Sequence, residues 1–210
     1  MAIRCGLTTI ELGASGIIKL WHRFEEYGRD MQIRTKKGEI LEVRRVQPSD
    51  APLMVRFFHG LSYQTRWRRF LRTYEGISPL WIRQEARRIA RIRPQRQIAF
   101  IALWTPPHRK HPQMVAGVQI IRTTRDGPEA EFAIVVADAF QRQGIGVQLT
   151  RIAFEQAKQE GISDIVAYMH ADNTGIWRTL KEVGYTLKSE VGLGERIVRL
   201  SLLEEPALKQ

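Results

Sequence analysis

Apolar positions along the chain recur in two rhythms, and the changes between them mark the elements. Ile17, Leu20, Trp21 and Phe24 return at steps of three and four between Ile17 and Tyr27, which predicts a short amphipathic helix ahead of the main domain. After Gly38, Ile40, Val43 and Val46 are apolar, and Pro48-Ser49-Asp50 ends the extended run with helix-starting side chains, so a strand feeds a helix. Helical spacing continues from Ala51 to about Arg93, with Leu53, Phe57 and Leu61 on one face. A break at Ser78-Pro79 precedes a second helix carrying Trp81, Ile82, Ala86, Ile89 and Ile92. Gln97 to Trp104 is a nearly continuous apolar run, and MVAGVQIIRT is another beyond the polar connection TPPHRKHPQ. The two read as paired strands, and AEFAIVVAD as a third.

The second half alternates more regularly. Val147, Leu149, Ile152, Ala153, Gln156 and Ala157 are spaced for a helix that starts near Gly144 and ends at Gly161. DIVAYMHA is a strand, NTGIWRTLKEVG a helix opened by an Asp172-Asn173 cap and closed by Gly184, and ERIVRLSLL a last strand. The order predicts an α/β (α+β) domain over 39–203 with a mixed, mostly antiparallel central sheet flanked by helices. Residues 1–38 form an N-terminal extension and 204–210 a polar tail. No repeat or low-complexity tract interrupts this order.

Composition narrows the class. With 43% apolar and 26% charged residues in 210, the chain has the make-up of a folded domain, which argues against disorder or a disulfide scaffold. A single cysteine, Cys5, cannot form an internal disulfide and fits a reducing compartment. No run approaches the roughly 18 apolar residues a membrane span needs, and Arg4, Glu11 and Lys19 break up the N-terminus, so a cytoplasmic location is expected. The net charge of +11 is the unusual number, and it predicts an acidic partner: nucleic acid, an anionic membrane surface, an acidic protein or a phosphate-rich cofactor.

The sharpest local feature is Gln141-Arg142-Gln143-Gly144-Ile145-Gly146, set between a strand and a helix. A glycine turn there presents unpaired amides and the positive end of the helix dipole, which suits a pyrophosphate; a ligand-free glycine turn fits the same pattern. It lacks the Lys-Ser/Thr of a Walker loop and the third glycine of a dinucleotide fingerprint. Val136, Asp138, Phe140, Gln141, Gly144 and Gly146 match V-x-x-x-x-Q/R-x-x-G-x-G/A, and Asn173, Ile176, Leu180, Gly184 and Tyr185 follow at the expected places. In these residues the chain, from about Ile40 to Leu202, resembles the GNAT superfamily of acyl-CoA-dependent N-acetyltransferases. RRVQPSDAPLMVRFFHGLSYQTRWRRF and AEFAIVV further resemble the acetyltransferase domain of bacterial Pat-type protein-lysine acetyltransferases, which modify acyl-CoA synthetases.

The resemblance implies acetyl-CoA as co-substrate and an amine acceptor, a protein lysine in the Pat type. It places the pantetheine arm along Ile134, Val135 and Val136, the pyrophosphate on Gln141, Arg142, Gln143, Gly144, Ile145, Gly146 and Val147, and Asn173 on the opposite side. Glu131 takes the part of general base, because a lysine amine with a pKa of about 10.4 must lose a proton before it attacks. A surface carboxylate on the polar face of an alternating strand is the plainer account of the same residue. The family's thiolate-protonating tyrosine falls at Leu180, leaving that role unassigned among Tyr168, His170 and Tyr185. Ten arginines between Arg66 and Arg96, against Glu75 and Glu85, form either a solvated face or a docking surface for an acidic protein or RNA. Trp67, Trp81 and Trp104 are expected in the core. His59, His108, His111 and His170 lack ligand spacing, so no metal is expected. A small-molecule amine acetyltransferase, a non-catalytic CoA-binding regulator and a basic RNA-binding domain stand as alternatives.

Overall fold

A computed structural model describes residues 31–70, 77–93 and 95–207. The helix expected over Ile17 to Tyr27, and Cys5, lie outside the described residues. The elements are strands β1 (Met31–Arg34) and β2 (Ile40–Arg45), helices α1 (Ala51–Gly60), α2 (Tyr63–Phe70) and α3 (Pro79–Ala90), and strands β3 (Gln97–Trp104), β4 (Gln113–Arg122) and β5 (Glu129–Val136). Helix α4 (Ile145–Gln159), strand β6 (Asp164–His170), helix α5 (Thr174–Val183) and the hairpin β7 (Lys188–Gly192) and β8 (Glu195–Ser201) complete the order.

All eight strands form one sheet in the order β1-β2-β3-β4-β5-β6-β8-β7. Every neighbouring pair is antiparallel except β5 and β6, which is the mixed, mostly antiparallel sheet the sequence predicts. Strand alternation sends side chains to two separate cores. Ile98, Phe100 and Ala102 of β3 join Phe132, Ile134, Leu149 and Phe154 under α4 and α5, while Ala99, Ile101 and Leu103 pack against Met54, Ala86 and Ala90 of α1 and α3. Helices cover β3 on both faces, which explains its unbroken apolar run. Phe154 anchors the larger core by edge contacts to Phe132 at 5.2 Å and to Tyr185 at 5.8 Å.

Three features depart from the sequence reading. The single helix expected from Ala51 to the Ser78-Pro79 break is divided at Leu61-Ser62. There the Ser62 hydroxyl accepts from the Thr65 N–H at 3.2 Å and starts α2. Strand β1 lies inside the stretch read as an extension, where it pairs with β2 and buries Ile33, so the sheet takes in residues from Met31 onward. Strand β7 is exposed along its whole length, and such an edge carries no apolar alternation to betray it.

The connection from β2 to α1 rests on a buried ion pair. Both guanidinium nitrogens of Arg44 reach Asp50 at 2.8 and 2.7 Å, and the Gln47 N–H donates to the same carboxylate at 2.7 Å. The hydrogen bond to Asp50 holds the Arg44 guanidinium above its ordinary value, against the opposing pull of burial.

Candidate functional site

Strands β5 and β6 share only three rungs, Glu129 with Asp164, Ala130 with Ile165 and Glu131 with Val166. Both strands continue beyond that point, β5 to Val136 and β6 to His170, so they part and open a split in the sheet. The far edge of β5 is paired with β4 as far as Val136, but Ile134, Val135 and Val136 turn their near edge to the split. A strand edge of this kind offers main-chain donors and acceptors to an extended ligand.

Helices α4 and α5 point their N-termini at the same opening. Past β5 the chain makes a short 3-10 turn, Asp138–Phe140, passes Arg142 at a φ of 61°, and enters α4 through Gly144 at a φ of 81°. That left-handed conformation favours glycine. No side chain caps α4, which leaves its first amides for a ligand. Gly146 allows α4 to approach α5 closely, since a Cβ at this position would lie 3.1 Å from Thr179 Oγ1. Asn173 caps α5, its side-chain oxygen accepting from the Ile176 N–H at 3.4 Å.

Between these parts lies a cleft of about 730 Å³. Ile134, Val135, Val136, Gln141, Arg142, Gly144, Ile145, Gly146, Val147 and Asn173 all line it, so the residues expected to bind the cofactor come together. Gln143 is the exception: its side chain is buried and donates to the Ala139 carbonyl at 2.9 Å, and only its main chain is placed at the turn. Sequence reasoning missed Lys36, Arg68, Arg69 and Arg178, which bring the cationic side chains of the lining to five with Arg142, against Glu182. The spacing of Thr174, Arg178 and Glu182 at four-residue steps from the Asn173 cap was the signal for that face of α5. Lys36 has no comparable signal; it arrives because β1 is tied to α4 by Gln148, whose amide nitrogen donates to the Arg34 carbonyl at 2.9 Å. Arg68 keeps a buried Nε without a hydrogen-bond partner among the described residues.

Helix α2 packs across the split against both β5 and β6. Asp138 holds it there, accepting from the Ser62 N–H at 2.8 Å, the Ser62 hydroxyl at 2.7 Å and the Thr65 hydroxyl at 2.7 Å. Desolvation pushes the Asp138 carboxyl up, but these hydrogen bonds together outweigh it and hold the group below its ordinary value. Gln141 adds a second tie by donating to Thr65 Oγ1 and to the Val136 carbonyl, each at 3.1 Å. On the β6 side, Trp67 stacks on His170 with ring centres 3.5 Å apart, and Arg68 lies 3.6 Å from Asp172.

Glu131 stands at the last shared rung, where the split begins. Its side chain is exposed, lies outside the lining of the cleft, and has no hydrogen-bond or ion-pair partner among the described residues. By strand alternation it shares the α1–α3 face of the sheet with Val135, about 13 Å along the strand. Leu180 is fully buried and Tyr185 packs in the core against Phe154, while Tyr168 is 43% exposed. Among the described residues no group of three or more His, Cys, Asp or Glu side chains comes together as a metal site, and no helix is long and apolar enough to cross a membrane.

The open β5 edge, the uncapped α4 amides, the five cations and the orphaned Arg68 Nε suit an extended polyanion that ends in an amide-bearing arm, as acyl-CoA does. Comparison with known proteins agrees. Residues 41–186 match the family model described as an acetyltransferase (GNAT) domain. Among solved structures the chain is similar to the GNAT domain of PAT from S. lividans, with 22% identity, a TM-score of 0.70, and coverage of 81% of this chain and 96% of that one. It is also similar to the ribosomal-protein-S5-alanine acetyltransferase from Vibrio fischeri, at 15% identity and a TM-score of 0.61, covering 82% and 96%. A cAMP-binding acyltransferase from Mycobacterium smegmatis matches at 16% identity with a TM-score of 0.57; the match covers 90% of this chain and about half, 54%, of that one. No curated protein is similar enough to match.

Proposed function

The chain belongs to the GNAT acetyltransferase family, and from that premise we propose that it moves an acetyl group from acetyl-CoA to a lysine side chain of an acidic protein, an acyl-CoA synthetase being the kind of target its Pat-like segments suggest. The observation that carries the reading is the split between β5 and β6, with a bare strand edge on one wall and two helix N-termini on the others. Likeness to the PAT domain supports a protein acceptor. The exposed arginines Arg83, Arg87, Arg91 and Arg93 on and after α3 support an acidic one.

Each part has a physical task. The main chain of Ile134, Val135 and Val136 holds the pantetheine arm as an added strand, and the amides from Gly144 to Val147 receive the pyrophosphate beside Lys36, Arg142 and Arg178. Asn173, with its oxygen committed to the cap, offers its amide N–H groups from the other wall. Acetyl-CoA supplies an acyl carbon activated as a thioester. Glu131 accepts the proton that the acceptor amine sheds as the C–N bond forms and the C–S bond breaks, directly or through one water. No side chain is assigned to the leaving thiolate, which water can protonate.

Two measurements test this. Calorimetry should show CoA binding far more tightly than AMP or free phosphate, and equal affinities would end the reading. A thiol-release assay with acetyl-CoA against acyl-CoA synthetases, polyamines and amino acids should favour the protein acceptors. Turnover of polyamines alone would move the acceptor to the small-molecule class, and salt-sensitive RNA binding without CoA affinity would move the protein out of catalysis.

A further inference from the structure

A second cavity, apolar and of about 90 Å³, lies on the α1–α3 face of the sheet. Met54, Phe58, Phe70, Ile89, Ile101 and Met114 are among the side chains of its wall, and Ala86 and Ala99 stand where larger side chains would fill it. It is half open rather than sealed in the core, so its apolar wall is available to a ligand tail. The cavity shares two lining residues with the cofactor cleft, Val135 and Arg69. Ile134 points into the α4–α5 core, so its neighbour Val135 points through the sheet to the α1–α3 side.

We propose that this cavity receives the alkyl tail of an acyl group longer than acetyl, and that the protein prefers a short-chain donor such as butyryl-CoA. The inference rests on the acyl-CoA reading above. With the pantetheine arm along Ile134 to Val136, an acyl chain continuing past the Val135 side chain crosses the split and enters the apolar space. A cavity of 150 Å³ lined by aliphatic and aromatic residues takes the six carbons of benzene, so about 90 Å³ accommodates roughly three to four carbons. The chemistry is unchanged by chain length: the amine nitrogen bonds the carbonyl carbon, the carbon–sulfur bond breaks, the amine proton leaves to the base, and CoA departs as its thiol.

Each buried methylene is worth about fourfold in affinity, so the two extra methylenes of butyryl predict binding about fifteenfold tighter than that of acetyl-CoA. Calorimetry on the full chain with CoA, acetyl-, butyryl- and octanoyl-CoA reads this directly. The expected order is butyryl tightest, with octanoyl weaker because its tail exceeds the space. Ala86→Leu fills the cavity and should bring the butyryl-to-acetyl ratio close to one. That ratio is read within the variant, so a general loss of stability does not mimic it, and the smaller Ala86→Val serves if the leucine variant fails to fold. Acetyl-CoA binding as tightly as butyryl-CoA overturns the inference and leaves the family reading standing. A butyryl preference that survives cavity filling overturns the assignment to this cavity. A filled cavity that raises only the KM of the acceptor also overturns it, giving the space to the acceptor side chain. Loss of all affinity for CoA in the wild-type protein would remove the underlying reading, and this inference with it.

Discussion

Replacing Asp138 by alanine removes three hydrogen bonds at once, from the Ser62 N–H and the hydroxyls of Ser62 and Thr65. A net hydrogen bond is worth about 0.5–1.5 kcal/mol, and the exposure of Asp138 sets the lower part of that range, so the three together contribute about 2 kcal/mol. For a chain of this size that lowers Tm by roughly 4–8 °C. Asp138→Asn should cost about half as much, because the two hydroxyls can turn and accept from the new amide. The pH dependence follows from the depressed carboxyl. Its folded value lies below the 3.8 of the unfolded chain, so the tie contributes fully above 3.8 and is lost as pH falls through the folded value. Urea melts of wild type and Asp138→Ala should therefore differ by a constant amount from about pH 5 to 8 and converge in stronger acid. Amide exchange should quicken along Ser62 to Phe70 before it does in the core strands. If the two proteins melt together at pH 7, or their difference persists unchanged at about pH 2, the tie does not hold α2 as argued.

Gly144→Val forces a branched residue into a left-handed φ and should cost at least about 1–2 kcal/mol in stability as well as CoA affinity. Gly146→Ala should lower Tm through its contact with Thr179, and Thr179→Ala should restore part of the loss in the double variant, which thermal melts will show. Glu131→Gln should bind CoA as the wild type does while turnover falls about 10²–10⁴-fold and recovers partly at high pH; near wild-type turnover at pH 7 would place the base elsewhere. Raising salt from 0.1 to 1 M, which shortens the screening length from about 10 to about 3 Å, should weaken CoA binding through the five cleft cations, and should weaken an acidic protein substrate more than a lysine peptide. Equal losses for the two substrates would remove the α3 arginines from docking.

Most of the fold was legible because its buried elements carry their own periodicity. β3 reads as an apolar run since both faces are covered, and α4 and α5 are bounded by Gly144, Gly161, Asn173 and Gly184, each found at the turn or cap its type favours. β1 and β7 were silent for opposite reasons. β1 buries one side chain in four residues, too few to make a pattern, and β7 buries none. The division at Leu61-Ser62 was hidden because the residues that cause it lie apart in sequence: Ser62 ends α1 by turning its N–H and hydroxyl to Asp138, 76 positions on. In the site, the glycine turn and its flanks announced one wall of the cleft, while Lys36 is invisible without the pairing of β1.

That same division explains what sequence distance concealed about the basic stretch. Arg66 to Arg96 lies far from the glycine turn along the chain, which suggests charge reserved for a partner. Yet the break at Ser62 swings α2 over the split and sets Arg68 and Arg69 in the lining of the cleft. Among the described residues of this stretch, the exposed arginines are Arg83, Arg87, Arg88, Arg91 and Arg93, on and after α3, and Arg88 is already paired with Glu85 at 2.6 Å. The charge of this stretch thus lies on two separate elements: cations of α2 that line the cleft, and cations on and after α3 that face solvent. A variant with α3 arginines replaced by glutamine should lose the protein substrate and keep CoA, whereas Arg68→Gln should weaken CoA first. The opposite pattern would mean that α2 is held against the sheet for packing alone.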